Sequence, residues 1–102
     1  MKNIIKNLNK EMKFSEGGVF SKVLAKTEKS NHTLFCLSKG TDMSEHTSSK
    51  EGSVTVIKGK GEFVLNGEKI RLEPGVFIFM PANAPHSLRA DEDLTLLLSL
   101  LG

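Results

Sequence analysis

The chain has no tryptophan, no tyrosine and a single cysteine, Cys36. One cysteine excludes an intramolecular disulfide. It stands in the apolar run Leu34-Phe35-Cys36-Leu37 and reads as a small buried hydrophobe, not as a reactive thiol. All six aromatic residues are phenylalanine. The chain therefore lacks the amphipathic rings of a membrane-interface belt and any base-stacking platform with a polar handle. Neither sign of charge dominates. Fourteen Lys and Arg against 12 Asp and Glu leave a formal net charge of +2, too small an excess for a nucleic-acid or membrane surface. Long apolar runs are also missing. The longest, Leu94 to Leu101, is far short of the roughly 20 residues of a membrane span. No apolar stretch of secretory length follows Lys2, Lys6, Lys10 and Glu11, so no signal peptide is expected. A soluble cytoplasmic protein is the simplest expectation.

What is present suits one domain. The length of 102 residues leaves no room for a second. Ile4, Ile5, Leu8 and Met12 fall at helical spacing, which predicts a short helix or an irregular arm over residues 1–16. Gly17-Gly18 breaks the chain there, and residues 17–102 form the domain proper. In that region short apolar or alternating runs lie between turn signals, which predicts strands at 19–27, 33–39, 46–48, 53–58, 62–65, 68–72, 76–80, 86–89 and 94–101. Asn66-Gly67 between two such runs is a strong hairpin signal, because both positions tolerate positive φ. Glu73-Pro74-Gly75 is a tight turn, and Pro81-Ala82-Asn83-Ala84-Pro85 a rigid loop. The fold class is all-β, a sandwich or barrel. Val76-Phe77-Ile78-Phe79-Met80 is apolar throughout, and residues 94–101 nearly so. Such strands call for cover on both faces. A homodimer is the simplest cover, and residues 1–16 folding back is the other.

Of the three histidines, His32 stands in the polar stretch Lys29-Ser30-Asn31-His32 and reads as a solvated loop residue. His46 and His86 each begin a strand just after a turn-rich loop. Strands that far apart in sequence can be neighbours in a barrel.

At these residues the chain resembles a small single-domain cupin. Gly40, five residues, then His46 follow the family's first motif, and Gly59 closes it. Ser48 stands where that motif has a second His, and Gly52 where it has Glu. Gly75, Pro81 and His86 keep the register of the second motif, with Asn83 in place of its second Gly and Ala90 in place of its Asn. The resemblance implies a double-stranded β-helix, the jelly-roll barrel. It also implies an interior site at positions 46, 48, 52 and 86. In cupins these four positions hold one divalent metal. Here only His46 and His86 carry ligands of that kind, so a metal (Zn, Fe, Ni, Mn or Cu) would depend on waters or a chelating substrate. Glu51 lies one residue off the Glu position and faces the other way in a regular strand; only a bulge would bring it back.

The expected pocket is lined by His46, Ser48, Gly52, Val54, Val56 and His86, the two valines sharing strand parity with position 52. Two functions follow. One is a module that binds a small molecule in the barrel interior, with or without a divalent metal. The alternative is a metal-dependent enzyme of oxygenase or isomerase type with His46 and His86 as ligands. A sensory domain bearing its own DNA contacts finds no helix-turn-helix pattern here.

Overall fold

The computed structural model describes residues 2–102. One helical turn, α1 (Leu8–Glu11), precedes nine strands: β1 (Val19–Lys26), β2 (Ser30–Leu37), β3 (Asp42–His46), β4 (Glu51–Lys58), β5 (Gly61–Leu65), β6 (Glu68–Leu72), β7 (Phe77–Met80), β8 (His86–Ala90) and β9 (Leu94–Leu101). They form two antiparallel sheets, ordered β1-β2-β9-β4-β7 and β3-β8-β5-β6. The sheets face each other as an all-β jelly roll. No helix among the described residues is long and apolar enough to cross a membrane.

Alternation builds the core. In β4, Gly52, Val54 and Val56 are buried while their neighbours are not. Val54 and Val56 stand opposite Leu98 and Leu96 of β9, and the opposing sheet supplies Phe63, Leu72, Leu88 and Ala90. The hairpin between β5 and β6 turns on Asn66 (φ 50°) and Gly67 (φ 81°). Both central residues are left-handed, as a two-residue turn matching the sheet twist requires.

The outer face of the four-stranded sheet is ionic. Asp42, Arg89, Glu62 and Arg71 stand in register across its four strands. The charges alternate in sign along this row. Asp91 joins both arginines, at 3.0 Å from Arg89 and 3.2 Å from Arg71. The hydrogen bond to Asp91 holds the Arg89 guanidinium above its usual range.

The outer face of the five-stranded sheet is covered by the N-terminal arm along one row. Phe20, Cys36, Thr95 and Lys58 are in cross-strand register over β1, β2, β9 and β4. Lys13 lies 5.9 Å from the Phe20 ring at one end of that row, and Lys58 lies 5.2 Å from the Phe14 ring at the other. Residues 13 and 14 therefore bridge it. Between its ends Cys36 and Thr95 are fully buried, and the Thr95 hydroxyl donates to the Cys36 Sγ at 3.7 Å. Glu11 pins the arm to β1 through Lys22 at 2.7 Å. That hydrogen bond holds the Glu11 carboxyl below its usual range. Met1, the first residue of the expected arm, lies outside the described residues. Among the described residues the cover does not extend to β7. Phe77 and Phe79 alternate outward from Ile78 and Met80 and remain 64% and 51% exposed on the single chain.

Two expectations are corrected. His32 is not a solvated loop residue. The turn Thr27 to Ser30 is tighter than its polar composition suggests, closed by a 2.8 Å backbone bond. Strand β2 thus starts early and places His32 opposite Ser99, with Nδ1 2.8 Å from the Ser99 hydroxyl. The short strand expected at 46–48 instead ends at His46, having begun at Asp42.

If the arm is the lid over Cys36, a chain beginning at residue 17 should expose that thiol to a disulfide reagent such as DTNB. The full chain should stay unreactive on the same timescale without denaturant. Equal reactivity in both would contradict the covering role.

Candidate functional site

Strand β3 pairs with β8 so that His46 stands directly opposite His86. Their ring centroids are 4.1 Å apart and the planes meet at 64°. On its other side His86 stacks on Phe63, 5.9 Å away and nearly parallel. His86 is therefore held between two rings and is 8% exposed, while His46, at the end of its strand, is exposed.

The loop before β8 sets this position. Asn83 is left-handed (φ 66°), a conformation that Gly adopts freely and Asn tolerates better than other side chains. Its N–H donates to the Ser48 carbonyl at 2.7 Å. That bond ties the loop before His86 to the loop after His46.

Each imidazole makes the same hydrogen bond. His46 Nδ1 lies 2.9 Å from the Ser44 carbonyl, and His86 Nδ1 lies 3.0 Å from the Ala84 carbonyl. A carbonyl can only accept, so each Nδ1 carries the proton and donates it. In the neutral ring the Nε2 then holds a lone pair. Neither Nε2 has a hydrogen-bond partner among the described residues. No buried side-chain nitrogen or oxygen among the described residues is unpartnered, so the His86 Nε2 still opens to accessible space.

Both imidazoles border a cavity of about 50 Å³ between the sheets, lined also by Phe35, Met43, Val54, Phe63, Met80, Leu88, Leu96 and Leu98. It has room for a few water-sized groups. Among the described residues its nitrogen-bearing side chains are the two imidazoles, and the other lining side chains are hydrocarbon and thioether.

Of the six residues expected at the pocket, the structure brings His46, Val54 and His86 together on its wall. Val56 lies deeper, in the core. Ser48 and Gly52 are not on the wall. The parity argument for Ser48 fails because β3 stops at His46. Beyond the strand the Ser48 hydroxyl turns back and accepts from the Lys50 N–H at 3.1 Å. Gly52 does not open space in the pocket. A Cβ there would meet the Ser99 carbonyl oxygen at 2.5 Å and a Leu100 methyl at 2.8 Å, so glycine is what lets β4 lie against β9. Glu45 and Glu51 are exposed, and no bulge turns Glu51 inward. Met43, Phe63 and Met80 were not foreseen as site residues. Inward-facing apolar positions look the same in sequence whether they fill a core or line a hole. The one available signal for Met80 was its parity with Ile78.

These observations test a metal held by the four positions named above. Two imidazoles are present, their ring centroids 4.1 Å apart. The carboxylate position has no space for a side chain, and Ser48 is engaged elsewhere. No group of three or more His, Cys, Asp or Glu among the described residues could hold a metal. The four-ligand arrangement for a divalent metal that the resemblance implied does not fit this chain.

The cupin domain family model matches residues 33–100. An uncharacterized protein of Aquifex aeolicus (strain VF5) is 33% identical over 98 residues, covering 94% of this chain and 81% of the relative. Among solved structures, a Streptococcus pyogenes protein of unknown function superposes with a TM-score of 0.88 at 29% identity, covering 99% of this chain and 95% of that one. An RmlC-like cupin protein from Desulfovibrio desulfuricans gives a TM-score of 0.86 at 25% identity over 99% of this chain and 96% of that one.

Gly52→Ala should lower stability by about 2 kcal/mol, the cost of forcing a methyl into packed backbone. For a domain of this size that is a drop of roughly 10 °C in Tm. Thermal unfolding by circular dichroism reads it. An unchanged Tm would show that β4 and β9 can separate at no cost and that position 52 has room for a ligand side chain.

Proposed function

The chain belongs to the cupin domain family, and we propose that it is a small-molecule binding module whose barrel interior takes a guest with an electron-poor head. The observation that carries this reading is the pair of Nδ1–H bonds to Ser44 and Ala84. With those protons committed, both free nitrogens are acceptors. A neutral hydroxyl donor or a cation suits them, and a carboxylate does not. The apolar wall suits a hydrocarbon body, which would extend toward exposed His46 because the interior is small. The setting we propose is the cytoplasm, in keeping with a lone cysteine kept as a buried thiol.

Phenol supplies a donor head on an apolar body, and toluene the same body without the donor. Phenol should bind saturably in calorimetry and toluene about five- to tenfold more weakly, since one net hydrogen bond is worth about 1 to 1.5 kcal/mol. His46→Ala, at an exposed position that spares the fold, should lose the preference. Equal affinity for both probes, or a preference that survives the substitution, would overturn the reading.

We also propose that the chain is a homodimer through the outer side of β7. This is an edge strand, and Phe77 and Phe79 project from it with no cover on the single chain. Sedimentation at micromolar concentration should give a dimer, and Phe77→Ser with Phe79→Ser a monomer. A clean monomer for the unaltered chain would contradict this.

A further inference from the structure

We infer that the guest is a long unbranched alcohol, its hydroxyl at the imidazoles and its chain lying outward along one cross-strand row to Val23. This rests on the reading above that a donor head seats in the cavity, and it names the body that the head carries. The pairing defines the row. Val54 stands opposite Leu98, Leu98 opposite Thr33, and Thr33 opposite Val23. All four side chains therefore share the inner face of the five-stranded sheet. Val54 and Leu98 are on the cavity wall. Exposure climbs along the row, from 2% at Val54, through half-buried Leu98 and Thr33, to 54% at Val23. The wall opens on the same side. Val54, Phe63, Met80 and Leu96 form a buried floor, whereas Phe35, Met43 and Leu98 are half-buried and His46 is exposed.

The outer part of the row is left open. Strand β1 is an edge strand, and among the described residues none of its side chains joins the core cluster. The flanking rows end in polar residues where this one ends in valine. Phe35 stands opposite Ser21, and Leu100 is followed by Asn31 and Lys26. The Thr33 hydroxyl donates to the Asn31 Oδ1 at 2.8 Å, so its proton is spent within its own strand. A body on this row meets hydrocarbon between polar neighbours, which suits a narrow chain. From Val54 to Val23 is three strand spacings, about 14 Å. At standard carbon–carbon bond lengths an extended chain of roughly ten carbons spans it. The row carries no charged residue, so nothing on it calls for an ionic group at the chain's far end.

The test is calorimetric titration of the unaltered chain with the primary alcohols from 1-butanol to 1-decanol. Affinity should rise about twofold per added methylene, half the logarithmic gain of a fully buried one, because one side of the alkyl chain stays in water. Val23→Ser, at an exposed position on an edge strand, should leave 1-butanol unchanged and weaken 1-decanol about fourfold, the gain of roughly the last two methylenes. Val19→Ser is the control. Val19 is exposed on the same face of the same strand, but its row runs through Leu37 and Leu94, off the cavity wall, and its substitution should change nothing. An affinity that stops rising at 1-butanol would overturn the inference, as would a 1-decanol affinity untouched by Val23→Ser or weakened equally by Val19→Ser. If Val23→Ser instead turns a dimer into a monomer and leaves 1-decanol binding intact, the row seats a second copy of the chain and the inference falls. Where phenol is still preferred to toluene through His46, only the alkyl-chain assignment falls. If His46→Ala alters neither that preference nor 1-butanol binding, the donor-head reading falls with it.

Discussion

The site depends on one register. Strand β3 must pair with β8 so that residue 46 meets residue 86, forty positions away. A slip of one residue would send one imidazole to the opposite face of the sheet. Two bonds oppose that slip. The Asn83 N–H donates to the Ser48 carbonyl, and the Ala90 N–H donates to Thr41. They tie both ends of the pairing at places where side-chain identity matters little and backbone geometry matters most. Asn83 can occupy a left-handed position there, which is why it can stand where the family pattern has glycine.

The same pairing gives the histidines their chemistry. Each ring donates to a carbonyl two residues before it on its own chain segment, so the segment's backbone selects the tautomer. The stacking of Phe63 against His86 then fixes the inner ring's plane. Two imidazoles then border an otherwise apolar cavity with no carboxylate on its wall. This separates the chain from the four-ligand arrangement of the family pattern.

Much of this was legible in the amino-acid order, and the failures share a cause. The Asn66-Gly67 hairpin, strand β6 and strand β9 are local events, governed by turn chemistry and by runs of apolar side chains. His46 and His86 could be matched to each other because the cupin motif spacing carries long-range information that periodicity does not. Ser48 and Gly52 were misplaced because strand parity holds only while the strand continues and while the neighbouring strand leaves room. His32 was misread because a polar stretch can pair as well as an apolar one when its partner, here β9 at Ser99, is polar too. The methionines escaped notice because whether a core position borders a void is decided by side chains from the opposite sheet. The cover over Cys36 likewise required knowing that one cross-strand row begins at Phe20 and ends at Lys58.

The central claim is that both imidazoles carry their proton on Nδ1 and leave Nε2 free as an acceptor. Long-range proton–nitrogen correlation spectra of the chain labelled with nitrogen-15 in histidine test it most directly, at about pH 8, where an ordinary imidazole is neutral. His46 and His86 should both show the pattern of the Nδ1–H tautomer. An Nε2–H pattern at His86 would place a proton where the account requires a lone pair, and would contradict it.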